Sequence, residues 1–104
     1  MALTRDFKET VKERVAKDPA FREALLKEAL ELMMSGEMDV GKLVMRDYIN
    51  ATIGFETLAK ETGTPPKSLM RMFSPKGNPR ANNLFAVISQ LQKQSGFHLA
   101  VAAG

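Results

Sequence analysis

The 104-residue chain contains no cysteine and one histidine, His98. Without thiols it can form neither a disulfide framework nor a zinc–thiolate site. One imidazole cannot build a histidine-based metal cluster, so no metal and no cofactor is expected. No run of about 18 apolar residues occurs, which argues against a membrane span. The amino-terminal MALTRDFKETVKERV is charged and amphipathic and lacks the apolar centre of a signal peptide. The expectation is a soluble, cytoplasmic protein with no membrane partner. A Gly-rich phosphate loop is also missing, which leaves carboxylates as the only catalytic groups. Asp6, Glu9 and Glu13 lie at helical spacing, but Lys8, Lys12 and Arg14 are interleaved with them. Such a segment is a solvated face of mixed charge, and the chain is not expected to be an enzyme.

Acidic residues are scarce in one half. From Met1 to Ile53, nine Lys/Arg face ten Asp/Glu, a balance of −1. From Gly54 onward, six basic residues face two acidic ones, a balance of +4. After Glu61 no acid follows, while Lys67, Arg71, Lys76, Arg80 and Lys93 remain. A surface without carboxylates attracts phosphate backbones that scattered acids would repel.

Periodicity predicts an all-α protein. Thr4 to Lys17 carries Phe7, Val11 and Val15 at i, i+4 and i+8. Asp18-Pro19 then suits an N-cap followed by proline at the first helical position. The helix it starts should run to about Ser35, with Phe21, Leu25, Ala29 and Leu32 on one face, Leu26, Leu30 and Met33 widening it, and Gly36 ending it. A third helix is expected from Asp39 or Val40 to about Thr52, with Leu43, Val44, Tyr48 and Ile49 inward. The last should span Ala81 to Gln94, bury Leu84, Val87, Ile88 and Leu91, and close at Gly96. Phe97 to Val101 alternates large apolar with other residues, which allows a short terminal strand. Most of the seven methionines should fill the core.

Between the third and last helices lies the most specific segment, FETLAKETGTPPKSLMRMFS, Phe55 to Ser74. Ala59 is small where two helices must cross closely, and Gly63 follows where the first must end with φ > 0. Leu69 and Met72 come six and nine residues after Gly63, one turn apart on a buried face. Pro65 and Pro66 fit only the first turn of the second helix, where backbone donors are unpaired anyway. The pattern is a helix-turn-helix, which presents its second helix to the DNA major groove.

Leu58-Ala59, Gly63, Ser68-Leu69-Met70-Arg71, Gly77-Asn78-Pro79 and the apolar run Leu84 to Leu91 together resemble the lambda-repressor-like (Cro/XRE-type) helix-turn-helix domain. The version with Ser74-Pro75-Lys76-Gly77-Asn78-Pro79 is similar to the HigA-type antidotes of bacterial addiction modules. The resemblance covers residues 54 to 101 well and the remainder loosely. It implies a helical bundle of about six helices, with an N-terminal extension (1–37) and a DNA-binding domain (38–104) forming one unit. It implies an autorepressor that also neutralises a small toxin. Pro65-Pro66 departs from the polar residues usual at the start of the recognition helix. That withdraws the first turn from base contact and leaves Ser68 and Arg71 as the main readers.

Leu69, Met72 and Phe73 should face the core, and Lys67, Ser68 and Arg71 outward. Arg71 is the candidate base reader, because its planar fork matches guanine O6 and N7 together. Thr57, beside free amides of the preceding helix, is a candidate phosphate donor. Lys76, Asn78, Arg80 and Asn82 are candidate backbone contacts, although Asn82 or Asn83 would serve equally as a cap of the last helix. Met70 is placed to touch a thymine methyl, and His98 is most simply an edge polar residue. One short helix supplies little affinity alone, so a homodimer on a palindromic operator in double-stranded DNA is expected, with Phe97, Leu99 and Val101 in its seam. The alternatives are a stand-alone repressor without a toxin, or a mainly protein-binding module whose helices from Thr4 to Ser35 mask one.

Overall fold

Asp18 and Pro19 start a long helix for two separate physical reasons. Asp18 is extended, and its Oδ1 accepts from the backbone N–H groups of Ala20 and Phe21 at 3.1 and 3.2 Å, donors that the first turn otherwise leaves unpaired. Pro19 has no N–H to leave unsatisfied. A computed structural model describes residues 12–96, and the helices follow in the order α1 (residues 12–17), α2 (Pro19–Met34), α3 (Met38–Ala51), α4 (Phe55–Thr62), α5 (Pro66–Met72) and α6 (Ala81–Ser95). No strand occurs among the described residues, so the fold is all-α, as the periodicity predicts. Phe7, Val11, the strand option at Phe97 to Val101, and His98 lie outside the described residues. No described helix is long and apolar enough to cross a membrane.

α2 and α3 approach closely at Gly41. A Cβ at Gly41 would lie 2.6 Å from Met33 Cγ and 3.0 Å from the Ala29 carbonyl, so only glycine permits this approach. That crossing sets which faces are buried, and it corrects two sequence expectations. On α2, Leu26, Ala29 and Met33 form the buried line, while Phe21, Leu25, Leu30 and Leu32 are only half-buried. On α3, Gly41, Met45, Tyr48 and Ile49 point inward with Val44 half-buried. Leu43, expected inside, is 50% exposed. It lies two residues from Gly41, about 200° around the helix.

α4 ends as its glycine requires. Gly63 has φ 72° and ψ 17° and donates to the Ala59 carbonyl at 2.9 Å, the left-handed closure that costs glycine nothing. Pro65 precedes α5, and its carbonyl accepts from Ser68 and Leu69 at 3.0 and 3.1 Å. The Phe55 and Phe73 rings, 6.5 Å apart and tilted by 47°, fasten the start of α4 to the residue that ends α5. α6 buries Val87, Ile88 and Leu91, with Leu84 half-buried. One apolar cluster runs from Leu26 of α2 through Leu58 and Leu69 to Leu91 of α6. The cap expected from Asn82 or Asn83 is absent: Arg80 is extended and occupies the N-cap without a side-chain bond, and Ala81 is already helical. A cap side chain needs a non-helical backbone, and both asparagines come too late for that.

Candidate nucleic-acid interface

The outer face of α5 follows from its inner one. Leu69 and Phe73, four residues apart, are 1% and 2% exposed, and Met72 is half-buried between them. Helical geometry then turns Lys67, Ser68, Met70 and Arg71 outward, and all four are exposed. Lys67, Met70, Arg71 and Ser74 line one wall of a cleft of about 550 Å³. Its other wall is Arg46 and Asn50 of α3, with Phe55 of α4. The cleft has three cationic side chains in its lining and no carboxylate. Ser74 Oγ donates to the Arg71 carbonyl at 2.8 Å, so the hydroxyl closes the end of α5 rather than facing a ligand.

Arg46 and Asn50 are functional candidates that the sequence reading missed. They sit on the helix before the motif, and their relation to α5 exists only once α3 has packed. Lys42 was missed for a different reason. It is 3% exposed, and its Nζ donates to the carbonyls of Gly77 and Pro75 at 2.7 and 3.4 Å. The exposed Asp39 carboxylate lies 3.8 Å away. Lys42 therefore pins the loop between α5 and α6. The available signal was its place on the inner face of α3, beside Gly41 and three residues before Met45. Gly77 completes the anchoring, because a Cβ there would collide with the Arg71 carbonyl.

The loop presents Lys76, Asn78 and Arg80, all exposed, with the Lys76 backbone fixed between the two carbonyls that Lys42 holds. Thr57 is exposed in the first turn of α4 beside the exposed Glu56, whose charge opposes a phosphate there. Asn82 is exposed in the first turn of α6. The structure thus brings Lys67 and Arg71 into one cleft, while Thr57, Ser68, Lys76, Asn78, Arg80 and Asn82 do not line it. The seam candidates Phe97, Leu99 and Val101 lie outside the described residues.

A second cleft, of about 250 Å³, lies between Val15, Arg22, Thr52 and Ser95. Arg22 donates through one guanidinium nitrogen to the Val15 carbonyl at 3.1 Å, and its buried Nε has no hydrogen-bond partner. Nearby, the Tyr48 hydroxyl and Ser95 Oγ are 2.7 Å apart. Burial pushes the Tyr48 phenol above its ordinary 10.0, against the opposing pulls of Ser95 and the Arg22 charge. Among the described residues no group of three or more His, Cys, Asp or Glu side chains could hold a metal ion. Comparison with known proteins finds no matching family model, no matching curated protein and no matching solved structure.

Proposed function

We propose that the protein is a sequence-specific DNA-binding transcriptional regulator that reads the major groove with α5. The observation that carries this is the outward face of α5: Lys67, Ser68, Met70 and Arg71 exposed over a buried Leu69 and Phe73, beside a cleft whose only charged lining residues are cations. A helix is about 10–12 Å across with its side chains, which a major groove roughly 12 Å wide admits. Arg71 is the base reader. Lys67, Lys76 and Arg80 contact phosphates and set register, a sequence-independent task. The regulator works as a homodimer on a two-fold operator, with Phe97, Leu99 and Val101 contributing to its seam. The loop Ser74 to Pro79 supports the narrower assignment to the antidotes of addiction modules, in which the same chain represses its operon and covers a small toxin.

A second observation favours a protein-binding role alongside the first. Met34, Met38, Val40 and Leu43 are 39–64% exposed, four large apolar side chains at the end of α2 and in the first half of α3. Adaptable methionines suit a partner surface. Selection of bound duplexes from a random pool by the intact protein tests the first function, and co-purification of a co-expressed toxin-sized neighbour tests the second. A single enriched sequence, lost with Arg71→Ala while the helical circular dichroism persists, is the expected result. Unchanged affinity for that sequence in Arg71→Ala would overturn the assignment of α5 as reader.

A further inference from the structure

Lys42, Arg46 and Asn50 recur every four residues on α3 and so share one stripe of the helix. Lys42 is inserted into the loop after α5, at the carbonyls of Pro75 and Gly77. One turn on, Arg46 stands in the cleft with Lys67, Arg71 and Ser74, and a turn later Asn50 stands in the same cleft. Both Arg46 and Asn50 are exposed. Among the described residues, none of Arg46, Lys67 and Arg71 has a carboxylate partner. Three like charges around one cleft repel each other until an anion neutralises them.

We propose that Arg46 and Asn50 of α3 grip a phosphodiester of the DNA strand along which α5 lies, which makes α3 a DNA-contacting element outside the helix-turn-helix. The proposal rests on the DNA-reading function of α5. The chemistry fits the groups present. A guanidinium fork bonds two phosphate oxygens at once, and the Asn50 amide supplies a further donor. A cleft of about 550 Å³ is of the size that holds whole small-molecule ligands, which leaves room for a sugar-phosphate unit. The roles then divide: Arg71 reads a base edge, while Arg46 fixes how deep and at what angle α5 enters. Lys42, buried under the loop, ties the same stripe to the backbone on either side of Lys76.

The test uses the intact protein, the duplex enriched from a random pool and a scrambled duplex of the same composition, titrated across a range of salt. Arg46→Ala is expected to weaken both duplexes by a similar factor of about ten. It should also make the slope of log affinity against log salt shallower by about 0.9, the signature of one lost phosphate contact. Arg46→Lys, which keeps the charge, should restore most of the slope. Asn50→Ala should weaken both duplexes without changing it. Unchanged affinity and slope in Arg46→Ala, with discrimination lost in Arg71→Ala, would overturn the phosphate grip and leave α5 as reader. Loss of the enriched duplex alone in Arg46→Ala would instead make Arg46 a base reader and also overturn it. Failure of the intact protein to enrich any duplex would remove the DNA-reading function, and the grip with it.

Discussion

Gly63 ends α4 and Gly77 lies in the loop after α5, and substitution at each meets a different obstacle. At Gly63 nothing lies within 4 Å of where a Cβ would be, but φ is +72°. Gly63→Ala therefore suffers backbone strain alone and should cost roughly 1–2 kcal/mol. Gly77 carries no positive φ, but a Cβ would run into the Arg71 carbonyl, with the Met72 carbonyl 3.0 Å away. Backbone cannot swing aside as a flexible side chain does, so Gly77→Ala should displace the loop and cost about 1–3 kcal/mol. Urea denaturation measures both. A benign Gly77→Ala would show that the loop is free to move. Lys42→Met tests the same loop from below, since it removes a charged donor and leaves the Gly77 carbonyl without its 2.7 Å partner. A loss of about 1.5–3 kcal/mol is expected, and an unchanged denaturation midpoint would show that the lysine does not hold the loop.

Helix ends and helix pairs were unequally legible. Asp18, Pro19, Gly63 and Pro66 act through their own backbones and nearest neighbours, so the boundaries of α2, α4 and α5 could be read locally. Asp18→Ala should cost about 1 kcal/mol through loss of the cap, and an unchanged midpoint would mean that solvent satisfies those amides equally well. Faces were harder to assign. Periodicity put Leu43 on the inner face of α3 with Val44, Tyr48 and Ile49, whereas the packing of Gly41 on α2 goes with a buried Met45 and an exposed Leu43. The tie between α3 and α6, Tyr48 to Ser95 at 2.7 Å, joins residues 47 positions apart and had no local signal. It has a pH signature. The folded phenol keeps its proton to higher pH than the unfolded chain does. Its contribution to stability is thus fully present below 10.0 and lost as pH rises through the raised folded value. Denaturant midpoints followed from neutral to strongly alkaline pH should fall more steeply for the native protein than for Tyr48→Phe. Parallel curves would mean that the phenol is no better protected than in the unfolded chain.

Across the whole molecule, charge and shape divide between the two halves of the chain. Of the six cations from Gly54 onward, which face two acids, Lys67 and Arg71 line the α5 cleft, where Arg46 from the acid-rich half joins them. Lys76→Ala and Arg71→Ala should therefore differ in kind. The first is expected to weaken all duplexes alike and make the salt slope shallower by about 0.9. The second should lose discrimination between duplexes, by about 1–3 kcal/mol for one bidentate base contact. Equal losses on selected and scrambled DNA in Arg71→Ala would reassign it to phosphate. Removal of residues 97–104 is expected to give a monomer in sedimentation, and a persistent dimer would place the seam elsewhere.

The all-helical architecture, the turn at Gly63 and the outward face of α5 were determined by the sequence itself, because each depends on interactions within a turn or two of chain. Capping, left-handed glycine and the 3.6-residue period are local physics. The buried lysine beneath the loop, the stripe of α3 that meets the core, and the meeting of Arg46 and Asn50 with Arg71 were decided only by tertiary packing. Lys42 and its loop carbonyls, and Arg46 and Asn50 with Arg71, are some 21 to 35 residues apart, and the approach of α2 to α3 at Gly41 decides which side of α3 is buried. The motif from Phe55 to Ser74 is thus legible on its own, but the surface it offers to a ligand is completed by a helix that precedes it.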